Sequence, residues 1–203
     1  IKDGLLFCAP PTIGQHIRKA GGDVECGTLV AKAGDRVTPA LIGLLLGVGI
    51  AEIEVFKQPL VTIIATGDEL VVAPEPLAFG QSYYSVGPMI KALLVTMGIA
   101  RVNLIKVGDD RAAITAHLKA AFDDAQLVLL TGGMSQGEYD FVRPALADLG
   151  VEQLFFQGKW RPGKPLYFGK KGETCIFGLP GNPVASFACV HIFVRHLLAH
   201  AFL

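Results

Sequence analysis

The chain predicts an α/β fold, a mostly parallel β-sheet with helices on both faces, preceded by part of a small β-rich domain and a linker helix. Three observations lead there. From Leu60 onward, short apolar runs alternate with amphipathic stretches, the strand-loop-helix rhythm that builds a parallel sheet. Runs such as Leu127-Val128-Leu129-Leu130 carry no polar alternation, as expected of strands covered on both sides. Glycine beside polar residues follows four of the strands, at Gly67-Asp68-Glu69, Gly108-Asp109-Asp110, Gly132 to Asp140, and Gly178 to Pro183. Ligands of open α/β sheets bind beyond the carboxyl ends of the strands, so these turns are expected to meet at one rim and form the site.

The elements follow in order. Residues 1–57 read as the end of a small β-rich domain: short apolar pieces at 5–8 and 28–31 are broken by Pro10-Pro11, Gly21-Gly22, Gly27 and Gly34-Asp35. Within 35–48 a helix starts with Thr38 as N-cap and Pro39 in the first turn, and Gly49 ends it. Residues 58–203 read as one α/β domain. Its strands are expected at 60–65, 102–107, 127–130, 166–168 and 174–177, the last two flanking a turn at 170–172. Its helices are expected at 87–97, with Gly98 after it, and at 112–122, 142–149 and 184–198.

Composition narrows the functional classes. With 203 residues and 51% hydrophobic content, the chain can bury a sizeable core. Eighteen basic and eighteen acidic residues balance, so neither a nucleic-acid footprint nor an anionic membrane partner is expected. The apolar run 41–50 is too short to span a bilayer. Cys8, Cys26, Cys175 and Cys189 form no C-x-x-C pair and read as reduced thiols of a cytoplasmic protein. The chain begins at Ile1 without methionine and is read as a piece of a longer protein.

The loop residues suggest metal-phosphate chemistry. Main-chain N–H groups at Gly132 and Gly133, and those opening the helix after Pro183, suit an anion. Asp68, Glu69, Asp109 or Asp110, and Asp140 would repel that anion unless a divalent cation stood between them, and oxygen ligands suit Mg²⁺. Arg161 and Lys164, in the turn Gly158-Lys159-Trp160-Arg161-Pro162-Gly163-Lys164-Pro165, add a bidentate clamp and a point charge for an oxyanion. Plainer readings stand beside these. Asp109 or Asp110 also suits an N-cap, Asp68 and Glu69 a solvated loop, and Trp160 a packing anchor. Ser135 has no histidine base nearby and reads as a hydrogen-bonding contact, not as a nucleophile.

Taken together, Thr66-Gly67-Asp68-Glu69-Leu70, Val107-Gly108-Asp109-Asp110, the run from Gly132 to Asp140, Arg161-Pro162-Gly163-Lys164-Pro165 and Gly178-Leu179-Pro180-Gly181-Asn182-Pro183 resemble, in order and spacing, the MoeA and gephyrin E-domain family. Gly14 to Asp23 is similar to the segment leading back from that family's small β domain. The resemblance implies a three-layer, MogA-like α/β domain. It also implies a magnesium-dependent molybdopterin molybdotransferase that inserts molybdate into adenylylated molybdopterin with release of AMP, working as a homodimer with a MogA-like partner enzyme. By position it implies catalytic roles for Glu69, Asp110, Asp140, Arg161 and Lys164, and metal binding by Glu69, Asp109 and Asp140. Ligand contacts are implied for Thr66, Gly67, Asp68, Gly132, Gly133, Ser135, Gly181, Asn182 and Ser186. Tyr84-Ser85-Val86 stands where the family has an Asp-Ser/Thr-Asn triplet, and Ala185 and Gly22 also depart from its pattern. Two other functions fit the same motifs: a MogA-like adenylyltransferase, and a non-catalytic molybdopterin-binding or scaffold module.

Overall fold

The computed structural model describes residues 12–134 and 140–201, and the chain divides into two compact units, Ile1–Val55 and Phe56–Leu203. In the first unit, α1 (Pro39–Gly47) forms as its caps dictate. Thr38 is extended and its side-chain oxygen accepts the Leu41 N–H at 3.2 Å, while Pro39 takes a first-turn position that needs no donor. Gly49, at φ +84°, turns the chain out of the helix.

The β-rich character expected for this unit is not seen among its described residues, none of which is in a strand. Residues 28–31 are irregular; Gly27 and Gly34, at φ +86° and +91°, bend the chain on either side. Local turns, such as Thr28 N–H to the Glu25 carbonyl at 3.1 Å, take the place of a ladder. The piece at 5–8 lies outside the described residues.

The second unit carries a six-stranded sheet of order β4-β1-β5-β8-β7-β6. β1 (Val61–Thr66) lies between β4 (Val102–Val107) and β5 (Leu127–Thr131), and β5 is followed by β8 (Thr174–Leu179), all four parallel. β7 (Tyr167–Lys171) pairs antiparallel with β8 across the turn at Gly172, and β6 (Glu152–Phe156) pairs antiparallel with β7 at the edge.

Side-chain alternation along these strands divides the core in two. On one face Ile63, Leu127, Leu129, Cys175 and Phe177 pack with Ile90 and Leu94 of α2 (Val86–Thr96) and with the final helix. On the other, Ile64, Val128, Leu130 and Ile176 pack with α3 (Arg111–Asp124) and α4 (Val142–Asp148). Covering both faces is why the strands read as unbroken apolar runs.

The final helix, α5, spans Pro183–Ala201 and passes through a π-helical segment at Val190–Val194. It is long and apolar enough to cross a membrane by composition alone, yet Cys189, Val190, Val194 and Leu198 are buried against the sheet.

Three elements were not expected from the sequence. β6 reads Glu-Gln-Leu-Phe-Phe, and as an edge strand it is largely exposed, so it lacks the buried apolar signature of its neighbours. β2 (Leu70–Val71) and β3 (Ser82–Tyr83) form a separate two-stranded parallel ladder too short to leave a pattern.

The central strands should therefore dominate stability. Leu129→Ala, at a fully buried position of β5, is expected to destabilise the fold by about 2–5 kcal/mol. Leu154→Ala on β6, where the side chain is 49% exposed, is expected to cost under about 1 kcal/mol; urea unfolding of both variants checks the contrast.

Candidate functional site

The parallel register carries the strand exits to one rim. Thr66 lies opposite Val107, Ala65 opposite Thr131, and Thr131 opposite Leu179. There a cleft of about 230 Å³ is lined by Thr66, Thr131, Gly132 and Gly181 and, among others, by Glu69, Tyr84, Ser85 and Pro183.

Glycine is required where β5 leaves the sheet. Gly132 and Gly133 sit at φ +86° and +59°. A Cβ on Gly132 would run into the Thr66 carbonyl, and one on Gly133 would meet the Val142 side chain of α4 and the Thr66 hydroxyl oxygen at 3.0 Å. The chain thus folds tightly between β1 and α4 at this point.

The carboxylates play different parts. Asp68 and Asp109 bridge the exits of β1 and β4: the Asp109 N–H donates to Asp68 Oδ1 at 3.1 Å and the Asp68 N–H to Asp109 Oδ2 at 3.3 Å. Asp110 caps α3, accepting the Ala113 N–H at 2.7 Å. One oxygen of this exposed carboxylate is thus engaged as the N-cap that the sequence also allowed for Asp109 or Asp110. Glu69 lines the cleft, with its carboxylate folded back against Gly67.

Asp140 differs from the others. Both its oxygens are buried without a hydrogen-bond partner among the described residues. Burial pushes its pKa up to about 6; the nearby amides of Arg143 and Val142 and the Arg143 charge oppose that rise without reaching hydrogen-bond geometry. Among the described residues, no three acidic, histidine or cysteine side chains form a metal-holding group. Glu69, Asp109 and Asp140 therefore do not assemble the expected three-carboxylate cage, because Asp109 is turned to the Asp68 amide and Asp140 is sunk against the start of α4.

The turn before α5 is braced from within. Asn182 caps α5 through Oδ1, accepting the Ala185 N–H at 3.1 Å, and its carbonyl accepts the Ser186 N–H. Ser186, expected to touch a ligand, is fully buried and donates its hydroxyl to the Pro180 carbonyl, so it shapes the turn instead. Pro183 has no N–H, which leaves Val184 as the main-chain donor without a partner among the described residues at this helix start. The expected amide concavity is correspondingly smaller here.

Sequence reasoning underrated the segment from Ser82 to Val86 as lining. It reaches the cleft through the β2–β3 ladder, with Ser82 N–H donating to the Glu69 carbonyl and Tyr84 N–H to the Val71 carbonyl, each at 2.8 Å. The one available signal was the departure at Tyr84-Ser85-Val86 itself. Tyr84 OH and Thr66 Oγ1 are, like the Asp140 carboxylate, buried without a partner among the described residues, and burial raises the Tyr84 pKa, keeping it a neutral donor.

Arg161 and Lys164 are exposed on the turn between β6 and β7 and do not line this cleft. That turn leans on α5, where Gly163 lies against Cys189 and near the Ala185 carbonyl. Ser135 lies outside the described residues.

Comparison with known proteins agrees with this architecture. Residues 62–200 match the family described as a probable molybdopterin binding domain. The chain is 36% identical over 199 residues to a molybdopterin molybdenumtransferase of Haemophilus influenzae, covering 98% of this chain and 49% of that protein. It is 39% identical over 200 residues to molybdopterin molybdenumtransferase 2 of Mycobacterium tuberculosis, covering 95% and 49%. The crystal structure of the molybdopterin biosynthesis MoeA protein of Pyrococcus horikoshii superposes with a TM-score of 0.77 at 28% identity, over 89% of this chain and 45% of that one. The chain thus spans about half the length of the curated relatives it matches. On the fold, the rim and these relationships, the chain belongs to the molybdopterin-binding domain family, among proteins of the MoeA type.

Proposed function

We propose that this chain forms the molybdopterin-binding part of a molybdopterin molybdenumtransferase, which inserts molybdate into adenylylated molybdopterin with release of AMP. The reading is carried by one observation: the exits of β1, β5 and β8 share a cleft whose lining includes Thr66, Thr131, Gly132 and Gly181 together with Glu69. Bare backbone and hydroxyls suit phosphate oxygens, since they donate hydrogen bonds without filling the space. Thr66 Oγ1, buried and partnerless among the described residues, is a hydroxyl of that lining.

A magnesium ion belongs to the same reading. Mg²⁺ is commonly held by one or two carboxylates together with substrate phosphates, so it needs no protein cage of three. Glu69 and Asp140 are the residues that would hold it. The fit rests on Asp140, whose two buried oxygens have no partner among the described residues and offer the hard donors that Mg²⁺ prefers. When bound, the ion would neutralise phosphate charge.

The protein's own residues would do the rest. Gly132 and Gly181 admit the ligand to the cleft, and Thr66 and Thr131 orient it. Arg161 and Lys164, exposed beside α5, would receive the second oxyanion, molybdate or phosphate. A homodimer, a MogA-like enzyme supplying the adenylylated substrate, and a cytoplasmic setting complete the proposal. The free thiols Cys26, Cys175 and Cys189 are in keeping with that setting.

The full-length protein, incubated with adenylylated molybdopterin, Mg²⁺ and molybdate, is expected to release AMP only when molybdate is present. Adenylyl transfer without molybdate would favour an adenylyltransferase, and no release would favour a binding module. Asp140→Asn is expected to lower the release by about 10²-fold or more while leaving the circular dichroism spectrum unchanged; undiminished turnover would remove Asp140 from the site.

The pH dependence follows from the raised pKa of Asp140. With a folded-state value of about 6 against 3.8 in the unfolded chain, the folded form holds the extra proton between those values. This residue's contribution to stability therefore falls as pH rises through that window. A cation selects the ionised carboxylate, so Mg²⁺ affinity by calorimetry is expected to strengthen from pH 5 to 7 and then level off. Asp140→Asn is expected to flatten that profile.

A further inference from the structure

We propose that Trp160 is a positioning residue, which locks the turn spanning 157–165 so that Arg161 and Lys164 are presented together to one oxyanion. The inference rests on the reading above that these two cations receive an oxyanion. Trp160 itself touches none of the cleft-lining groups assigned to the ligand; its contacts lie within the turn and beneath it.

The indole packs against two aromatic rings. It stacks on Phe155 of β6 with ring centroids 5.5 Å apart and planes 16° from parallel, and meets Phe193 of α5 in a tilted arrangement at 5.1 Å and 40°. These separations fall in the range of favourable aromatic pairs. Phe193 belongs to the π-helical segment Val190–Val194, so α5 departs from α geometry where it meets the indole.

The indole also closes the turn on itself. Trp160 Nε1–H donates to the Gly163 carbonyl at 3.0 Å, which clamps the two residues flanking Arg161-Pro162. Gly158 N–H donates to the Lys164 carbonyl at 3.2 Å, and Gln157 N–H to the Leu166 carbonyl at 2.9 Å, closing the outer ring.

Two glycines make the fit possible. A Cβ on Gly158 would collide with the Trp160 ring. Gly163, at φ +102°, lies so close to Cys189 Sγ that no side chain fits, and that thiol sits 3.9 Å from the Gly163 carbonyl. The turn is thus fastened to α5 at Gly163 and plugged by Trp160.

The cations contrast with this anchoring. Arg161 and Lys164 are exposed, and among the described residues neither forms an ion pair. Arg161 directly follows the indole and Lys164 directly follows Gly163, so the Trp160–Gly163 hydrogen bond, together with the Gly158–Lys164 bond, constrains the separation of their backbones. Two cations held at a preset spacing grip one tetrahedral anion better than two on a loose loop, because less freedom is lost on binding.

The test is steady-state kinetics of the full-length protein at varied molybdate, with direct molybdate binding followed by calorimetry. Trp160→Ala is expected to raise KM for molybdate about tenfold with kcat within about twofold. Trp160→Phe, which keeps the stack and loses the N–H donor, is expected to raise it about threefold. Should Trp160→Ala not fold, Trp160→Phe and Phe193→Leu carry the measurement, the latter removing one aromatic contact from a helix that holds no cation of the turn. A purely structural role would lower the melting temperature and leave KM alone. If Arg161→Ala raises KM while all three anchor variants leave it unchanged, the role of Trp160 is overturned; if Arg161→Ala changes KM for neither molybdate nor adenylylated molybdopterin, the oxyanion reading itself falls.

Discussion

The constraint on which the rest depends is the in-register parallel pairing of β4, β1, β5 and β8. Parallel strands run the same way, so their carboxyl ends must emerge on one edge, and every crossover returns through a helix on one face or the other. The turns after β1, β5 and β8 become neighbours for that reason alone, although more than a hundred residues separate Thr66 from Gly181 in sequence. The helices that cover the faces supply the apolar burial that keeps the register fixed, since a slip of one residue would send Ile63 and Leu129 to the α3–α4 side and Ile64 and Leu130 to the other.

On that rim, function and stability pull against each other. Thr66 Oγ1, Tyr84 OH and the Asp140 carboxylate are buried without partners among the described residues, and each such group typically costs a folded protein about 1–3 kcal/mol. Other described groups of the rim are braced from within the chain. Asp110 and Asn182 cap helices, Asp68 and Asp109 satisfy each other's amides, and Ser186 bonds the Pro180 carbonyl. Thr66 and Tyr84 line the cleft, whereas Asp140 is not among its lining residues; unsatisfied groups of this kind, within a frame of satisfied ones, suit partners from outside the chain.

The cationic turn solves a different problem. An exposed loop bearing Arg161 and Lys164 would ordinarily lose considerable freedom on gripping an anion. Here an indole packed against two phenyl rings and a glycine against a cysteine hold the main chain in advance, leaving only the side chains to settle. The helix beneath gives up regular α geometry at Val190–Val194 where it meets that plug.

By itself the sequence determined the layered α/β plan, the central strands, the crossover and terminal helices, and the glycine-acid turns at the rim. Those features are local: hydrophobic period, caps such as Thr38, and glycines where the backbone needs positive φ. Only the tertiary structure decided which carboxylate does what. Asp109 and Asp110 are adjacent and chemically alike, yet one faces the Asp68 amide and the other caps α3, a distinction that arises from the spatial approach of β1 to β4 and leaves no mark on either residue. The same holds for the small β2–β3 ladder that brings Tyr84 to the cleft, for the edge strand β6, and for the burial of Ser186 and Asp140. Each depends on contacts between distant segments, and a polar residue reads alike in sequence whether it will face a ligand, a backbone carbonyl or nothing at all.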